Sequence, residues 1–267
     1  MASSFQVLGV RVDAVQMPEV VARLCSWIHV RQSSRFVAVT AMHGVAEARQ
    51  NKAFRQIVNS ADLVVPDGMP LIWFARFRGH ALRDRVCGPE LMETICRATG
   101  SAYRHFFYGG VPGIADKLAQ VLHERYGIVV AGTYSPPFRP LNETEEEELT
   151  SAIDKASPDF LWVGLSSPKQ ENWMYGHRNT LKVPVMIGVG AAFDMHSGTQ
   201  LRAPIWMRKC CLEWLYRLLS EPSRLWRRYL ITIPKAIAFA FLELLGFPML
   251  LSENESGPTT PARQVSR

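Results

Sequence analysis

The chain has 267 residues, of which 48% are hydrophobic, and carries a formal net charge of +6. That is enough apolar material for one large α/β domain, or for a domain with an appendage. Its five cysteines (Cys25, Cys87, Cys96, Cys210 and Cys211) are odd in number and lack C-x-x-C spacing. They argue for reduced thiols in the cytoplasm and against a disulfide framework or a zinc site. The opening residues MASSFQVLGVRVDAV have neither a basic n-region nor an apolar h-region, so no secretory signal is expected.

In chain order, RFVAVT (35–40) is short and β-branched and predicts a strand ending at Thr40. The next run, 44–61, has Val45, Ala48, Phe54, Ile57 and Val58 at helical spacing and predicts one helix. DLVVPDG (62–68) predicts a strand stopped by a turn, followed by helices over 69–79 and 88–100. RHFFYGG (104–110) predicts a strand running into a glycine turn, then a helix over 111–127 and a strand, IVVAGTY, over 128–134. After a Pro-rich loop, Asn142 and Glu145 have the spacing of an N-cap and its N3 partner, and the acidic run behind them sits where a helix dipole favours it. Those glutamates therefore need no catalytic role. DFLWVGL (159–165) and VPVMIGVG (183–190) predict two more buried strands. Alternation of this kind gives a mainly parallel sheet covered by helices on both faces. Ligands of such sheets bind beyond the carboxyl ends of the strands, which here are Thr40, Asp67, Gly109 and Gly110, Ser166 and Ser167, and Gly190.

The charge is concentrated. Residues 202–235 hold eight basic side chains and two acids, and the remainder balances at 22 basic and 22 acidic. The basic residues alternate with Trp, Tyr, Leu and Ile, and an apolar run, 230–251, follows at once. This pattern fits an anionic membrane surface better than nucleic acid. Pro234, Lys235, Glu243 and Pro248 interrupt the run, so a helix lying on the membrane is expected instead of a span. Pro222 is expected to split the basic segment into two helices, and Cys210 and Cys211 are expected to be helical. The expected division is an α/β body over 1–200, a basic appendage over 201–251 and a disordered polar tail over 252–267.

Among residues that could do chemistry, Asp67 stands where a strand meets a glycine. It reads either as a turn aspartate or as a general base on a substrate hydroxyl. YGGVPG (108–113) offers backbone N–H groups and a helix start to a phosphate. It is neither G-x-G-x-x-G nor a Walker A sequence, and the next strand ends without an acid for a ribose, which counts against a nicotinamide site. LSSPKQENWM (165–174) places Ser, Lys, Gln and Glu directly after a buried strand, for a ligand or for helix capping by Ser167. His43 and His196, taken singly, read as structural. No D-x-D occurs and no metal-ligand spacing appears, so a diphosphate leaving group would need arginine, lysine or backbone N–H groups. No cofactor is expected.

The blocks ADLVVPDGMPLIW, RVCGPEL, YGGVPG, GLSSPKQE, GVGAAFD and RAPIWMRKCCLEWLYRLLSEPSRLWRRYL, in this order, resemble the WecG/TagA/CpsF family of bacterial glycosyltransferases from about residue 8 to about residue 235. The resemblance implies a Rossmann-like α/β body with a helical C-terminal appendage. It implies inverting, metal-independent transfer of a sugar from a UDP-sugar to a polyprenyl-diphosphate-linked sugar, at the inner face of the cytoplasmic membrane. It puts the base on Asp67, Thr40 beside the reacting sugars, and Arg85, Gln170 and Asp194 on the donor. Gly109 and Gly110 would lie near the donor diphosphate. Arg217, Arg224 and Arg227 would close over the site and hold the acceptor diphosphate. Two departures, Met42 in TAMH where many members read T-x-N and Cys87 where Thr is usual, leave the donor open between UDP-N-acetylmannosamine and UDP-glucose. An appendage that reaches a site can complete its own subunit's site or that of a neighbour in a homo-oligomer. An oxidoreductase on a Rossmann scaffold and a non-catalytic membrane adaptor stand as alternatives.

Overall fold

The computed structural model describes residues 3–30 and 33–247. The expected tail, 252–267, and the end of the apolar run lie outside them. The chain opens with a hairpin, β1 (Ser4–Val7) and β2 (Val10–Asp13), then α1 (Met17–Val30), β3 (Arg35–Thr40), α2 (Met42–Gln50), α3 (Lys52–Asn59), β4 (Leu63–Pro66), α4 (Met69–Phe77) and α5 (Gly88–Thr99). It continues with β5 (Arg104–Gly109), α6 (Ile114–Tyr126), β6 (Val129–Tyr134), α7 (Glu143–Ala156), β7 (Phe160–Gly164), α8 (Lys169–His177), β8 (Val185–Gly188) and α9 (Ala192–His196). The appendage comprises α10 (Ile205–Lys209), α11 (Glu213–Ser220), α12 (Pro222–Arg227), a π-helical turn (Arg228–Thr232) and α13 (Ile233–Leu244).

Six strands form one all-parallel sheet in the order β4-β3-β8-β7-β5-β6, as the alternation predicts. The period-2 pleat sorts the core into two layers. Phe36, Ala38, Val64, Phe106, Tyr108, Leu161, Val163 and Met186 face α2, α3, α4, α7 and α8. Val37, Leu63, Val65, Phe107, Phe160, Trp162, Val185 and Ile187 face α1, α5, α6 and α9. Both faces are therefore covered, which explains strands that are apolar at nearly every position. The β1–β2 hairpin turns through Leu8 and Gly9, both at positive φ. It lies beside the β4 edge, where Asp13 Oδ2 accepts from Val64 N at 2.8 Å. That capped edge no longer presents a full row of free donors.

The structure corrects several expectations. The single helix expected over 44–61 is two, because the Asn51 side chain caps a new start by accepting from Phe54 N at 3.0 Å. Cys210 and Cys211 form the turn between α10 and α11, with Cys211 at φ 61°. Other expectations hold. Asn142 and Glu145 make the reciprocal capping box at 2.8 and 2.9 Å, and Pro222 starts a new helix after α11.

The apolar C-terminal helix, expected on the membrane surface, packs one face on the body. Ala236 and Ala240 are buried, and small residues there let α13 lie close to α2. The Arg49 guanidinium sits 3.8 Å from the Phe239 ring centre, and Phe241 meets Phe74 and Phe77, each at 5.7 Å. Glu243 Oε2 accepts from Leu8 N at 2.8 Å, and Oε1 pairs with Arg78 at 3.3 Å. The interrupting glutamate thus ties the helix to the hairpin. Leu242, Leu245 and Phe247 remain exposed, and Phe241 stays partly exposed beside its two ring contacts. No helix among the described residues is long and apolar enough to cross a membrane.

Candidate active site

The β3–β4 pairing fixes the position of Asp67. Thr40 lies opposite Pro66 in the register, and one residue later Asp67 N donates to Thr40 O at 2.8 Å. Gly68, at φ 98°, then turns the chain into α4, a backbone conformation that side chains resist. A second backbone bond, Val86 N to Pro66 O at 2.9 Å, draws the 85–87 segment against the same strand end. Asp67 and Arg85, distant in sequence, become neighbours through these two bonds. Burial drives the Asp67 pKa from 3.8 up to about 6, with Arg85 and Arg217 pulling it down and Glu213 and Glu90 pushing it up. This carboxylate can hold or release a proton near neutral pH, as a general base requires.

Around it, body and appendage are joined by a chain of charges. Arg85 Nη2 meets Glu213 Oε2 at 2.9 Å, and Arg202 Nε meets Glu213 Oε1 at 3.3 Å. Arg202 Nη2 meets Glu90 Oε1 at 2.7 Å, with Arg208 Nη1 at 3.7 Å from the same oxygen. The Cys87 thiol donates to Glu90 Oε2 at 2.9 Å, and burial together with Asp67 and Glu90 pushes its pKa upward. Arg85 and Glu213 are mostly buried, and breaking such a pair costs far more than breaking a surface pair. Burial works against the charge of Arg85, but Cys87, Asp67 and Glu213 hold it.

Above this clasp, the π-helical turn lies against α2. It brings Arg228 and Tyr229 toward His43 and Arg217. His43 falls to a pKa of about 4 through burial, then through the Arg228 and Arg217 charges, so it is neutral at physiological pH. The Tyr229 ring lies 5.9 Å from that of Trp214. Burial raises the Tyr229 pKa, with Asp67 and Glu213 adding to the rise and Arg217 and Arg228 opposing it.

The structure brings Thr40, Asp67, Arg85 and Arg217 into this neighbourhood. Asp194 and Arg224 share an adjoining cleft of about 650 Å³, lined also by Thr199, Gln200, Tyr216 and Glu221. Burial raises the Asp194 pKa, with Arg224 opposing. A cavity of about 730 Å³ along α6 and edge strand β6 holds none of the expected residues. Gly109 and Gly110 sit at the β5 end, as expected, but their geometry has a packing cause. A Cβ on Gly109 would fall 2.6 Å from the Gly164 backbone, and one on Gly110 would fall 2.8 Å from Ile114.

Gln170 is buried. Its Oε1 accepts from Gly190 N at 3.0 Å, and its Nε2 donates to Glu171 Oε1 at 3.1 Å, so it ties the β7 and β8 ends together. Glu171 beside it is buried with Oε2 unpartnered, and burial raises its pKa. Arg227 is exposed, 5.8 Å from the Trp226 ring centre, and Arg224 pairs with Glu221 at 2.5 Å. Met42 turns into the core and is not placed to touch a sugar. His196 is structural, with its ring nitrogen 2.8 Å from Pro89 O.

A sequence model described as "Glycosyl transferase WecG/TagA/CpsF family" matches residues 5–248. The chain belongs to this family of glycosyltransferases. It is similar to the N-acetylglucosaminyldiphosphoundecaprenol N-acetyl-beta-D-mannosaminyltransferase of Bacillus spizizenii, 34% identical over 193 residues, which is 72% of each chain. The protein of the same name from Staphylococcus aureus strain MRSA252 is 28% identical over 223 residues, 83% of this chain and 86% of that one.

For this family member, residue-level reasoning missed Glu90, Arg202, Glu213, Arg228 and Tyr229 as neighbours of Asp67. The available signal was the pair of acids, Glu213 and Glu221, inside an otherwise basic segment. An acid kept there marks an internal contact. Among the described residues, no group of three or more His, Cys, Asp or Glu side chains is placed to hold a metal ion.

Proposed function

We propose that this glycosyltransferase moves a sugar, with inversion, from a UDP-sugar to a polyprenyl-diphosphate-linked sugar at the inner face of the cytoplasmic membrane. The observation that carries the proposal is Asp67, a carboxylate with a pKa raised to about 6 at a strand end, facing arginines from both body and appendage. The names of the relatives, which specify a diphosphoundecaprenol-linked acceptor and an N-acetylmannosaminyl group, favour a lipid-linked acceptor and an N-acetylmannosamine donor. Asp67 takes the proton from the acceptor hydroxyl as its oxygen attacks the anomeric carbon, and UDP leaves from the opposite face. Thr40 anchors the Asp67 backbone beside the sugars. The Gly109–Gly110 turn and Arg85 lie toward the donor diphosphate, and the Asp194 cleft receives the nucleotide. Gln170 serves the donor through the backbone at Gly190. Arg217 and Arg224 offset diphosphate charge, so the reaction proceeds without a metal.

The test is UDP release from a panel of UDP-sugars, with and without a polyprenyl-diphosphate-sugar, in the presence of EDTA. Acceptor-dependent release with one donor, lost in Asp67→Asn, supports the assignment and names the sugar. Release that continues in Asp67→Asn removes Asp67 as base. Release that stops with EDTA removes the metal-free route.

A further inference from the structure

The first turn of α8 carries a glutamate in the core. Glu171 is 2% exposed, and its Oε2 has no hydrogen-bond partner. Burial raises its pKa, and its own backbone N–H, the Gln170 amide and the Ser167 hydroxyl oppose that rise, with no cation among them. A carboxyl group buried in this way is costly. Packing alone would be served by a glutamine or a methionine of the same reach. What the ionised carboxylate adds is that it accepts hydrogen bonds and never donates them. Gln170 lies between two neighbours of opposite sense. Gly190 N donates to its Oε1 at 3.0 Å, and its Nε2 donates to Glu171 Oε1 at 3.1 Å. The backbone N–H can only donate and the carboxylate can only accept, so the amide fits in one orientation. Gly190, at φ 52°, then leads into α9, its carbonyl accepting from Phe193 N at 3.4 Å, and α9 carries Asp194 into the 650 Å³ cleft. The packing is close. A Cβ on Gly188 would fall 2.8 Å from Gln170 Nε2, and one on Gly164 would fall 2.6 Å from the Phe193 ring. A displaced Gln170 amide therefore bears directly on the β8 end and the turn that follows it.

We propose that Glu171 is a positioning residue for the donor: as a fixed acceptor it holds the Gln170 amide oxygen on Gly190 N, and so sets the turn that presents Asp194 to the cleft. The proposal rests on the transfer reading above, in which that cleft receives the nucleotide. Glu171 itself touches no substrate. It excludes the flipped amide, in which Nε2 would meet Gly190 N, donor against donor, and release the turn. The adjacent Gln170 and Glu171 of the SPKQE block thus work as one device, one side chain making the bond and the next fixing its polarity.

The experiment measures UDP binding to the full chain by calorimetry, with the thermal midpoint and, for UDP release from the sugar donor, kcat and KM. The variants are Glu171→Met, Gln170→Glu, and Gln170→Glu combined with Glu171→Gln. Glu171→Met removes the acceptor and should weaken UDP about three- to tenfold, the range for one neutral hydrogen bond. The loss should appear in the donor KM, with kcat changed less than about twofold. Gln170→Glu sets two carboxylates against each other and should weaken UDP about ten- to a hundredfold. The combined variant exchanges the two side chains. Its carboxylate at 170 accepts both from Gly190 N and from the amide at 171, so UDP affinity should return to within about threefold of wild type.

Unchanged UDP affinity in Glu171→Met overturns the proposal. So does a combined variant that binds UDP no better than Gln170→Glu alone, and this comparison decides even if Glu171→Met does not fold. A glutamate that is merely structural would lose thermal midpoint and kcat together and would gain nothing from the exchange. Acceptor-dependent UDP release by wild type without the exchange pattern removes the positioning role and leaves the transfer reading. The exchange pattern in UDP binding, without UDP release from any sugar donor, leaves the positioning role and removes the transfer reading. No UDP binding by wild type removes both.

Discussion

Replacing Asp67 by Asn should make the protein inactive and more stable, with both effects governed by pH. The folded protein raises the Asp67 pKa from 3.8 to about 6. Folding therefore favours the protonated acid. Stability linked to this group is fullest below about pH 4 and declines as pH rises through about 6. A shift of about two units corresponds to about 3 kcal/mol at 1.36 kcal/mol per unit. Asparagine is neutral at every pH and avoids that cost. Near pH 4 the variant and wild type should melt together. At pH 8 the variant should melt about 6–12 °C higher, at about 2–4 °C per kcal/mol. Turnover should follow the same group in the opposite sense. Wild-type kcat/KM should climb as pH rises toward about 6 and level off above it, and the variant should lose about 10²–10⁴-fold. Melting curves from pH 4 to 8 and UDP release over the same range are the assays. A melting difference that stays flat with pH, or an activity limb below pH 4.5, would refute the burial argument. Activity within tenfold of wild type in Asp67→Asn would falsify the base assignment.

The neighbours of Asp67 should move that activity limb in opposite directions. Arg85→Gln should shift it to higher pH and Glu213→Gln to lower pH, because the first charge favours the carboxylate and the second opposes it. Glu213→Gln should also destabilise the fold by about 3–5 kcal/mol, because it leaves Arg85 and Arg202 without their shared partner, and denaturant unfolding would measure this. Gly109→Ala should fail to accumulate as folded protein, since its Cβ would sit 2.6 Å from backbone atoms of Gly164 and its φ is +135°; soluble yield at low temperature is the check. Phe239→Ala should lower the thermal midpoint, because it removes the ring stacked on Arg49 and part of the α13 contact with the body. An unchanged midpoint would mean that α13 leaves the body in solution.

The sheet was legible because its strands are buried on both faces and so read as apolar runs, as in RFVAVT and DFLWVGL. The α7 start was legible because Asn142 and Glu145 lie three residues apart and satisfy each other locally. The break at Asn51 was hidden, since apolar residues keep helical spacing across it while one side chain recloses the backbone. The α13 contact was hidden for a different reason. An apolar face looks the same in sequence whether lipid or protein covers it, and the small residues Ala236 and Ala240 are the discriminating detail. At the site, the strand-end position of Asp67 was legible from the strand-to-glycine transition, while its role as base came from the family resemblance. The charged clasp was not, because Arg85, Glu90, Arg202 and Glu213 meet only through tertiary folding and each alone looks like a solvated side chain. The glycine turn has a packing cause that the sequence did not reveal. The close approach of β5 to β7 already demands Gly109, whether or not a phosphate binds there.

The basic segment that first looked like a single surface resolves into three uses of charge. Arg202 and Arg208 are engaged with Glu90, and Glu213 reaches back to Arg85, so this part of the appendage is held to the body. Arg227 stands outside with exposed Trp206, Trp226 and Leu230, the composition expected of a membrane-facing rim. Between them Arg217 and Arg228 are half-buried, and Arg217 lies near enough to Asp67 and Asp194 for its charge to favour both carboxylates. An appendage built only to attach would place every cation outside or pair it. One built only to stabilise the fold would not gather unpaired cations over a carboxylate. Their placement near Asp67 suits the anionic substrates of the proposed transfer. The α13 anchor on α2 and the hairpin then holds the C-terminal helices on the body that carries Asp67.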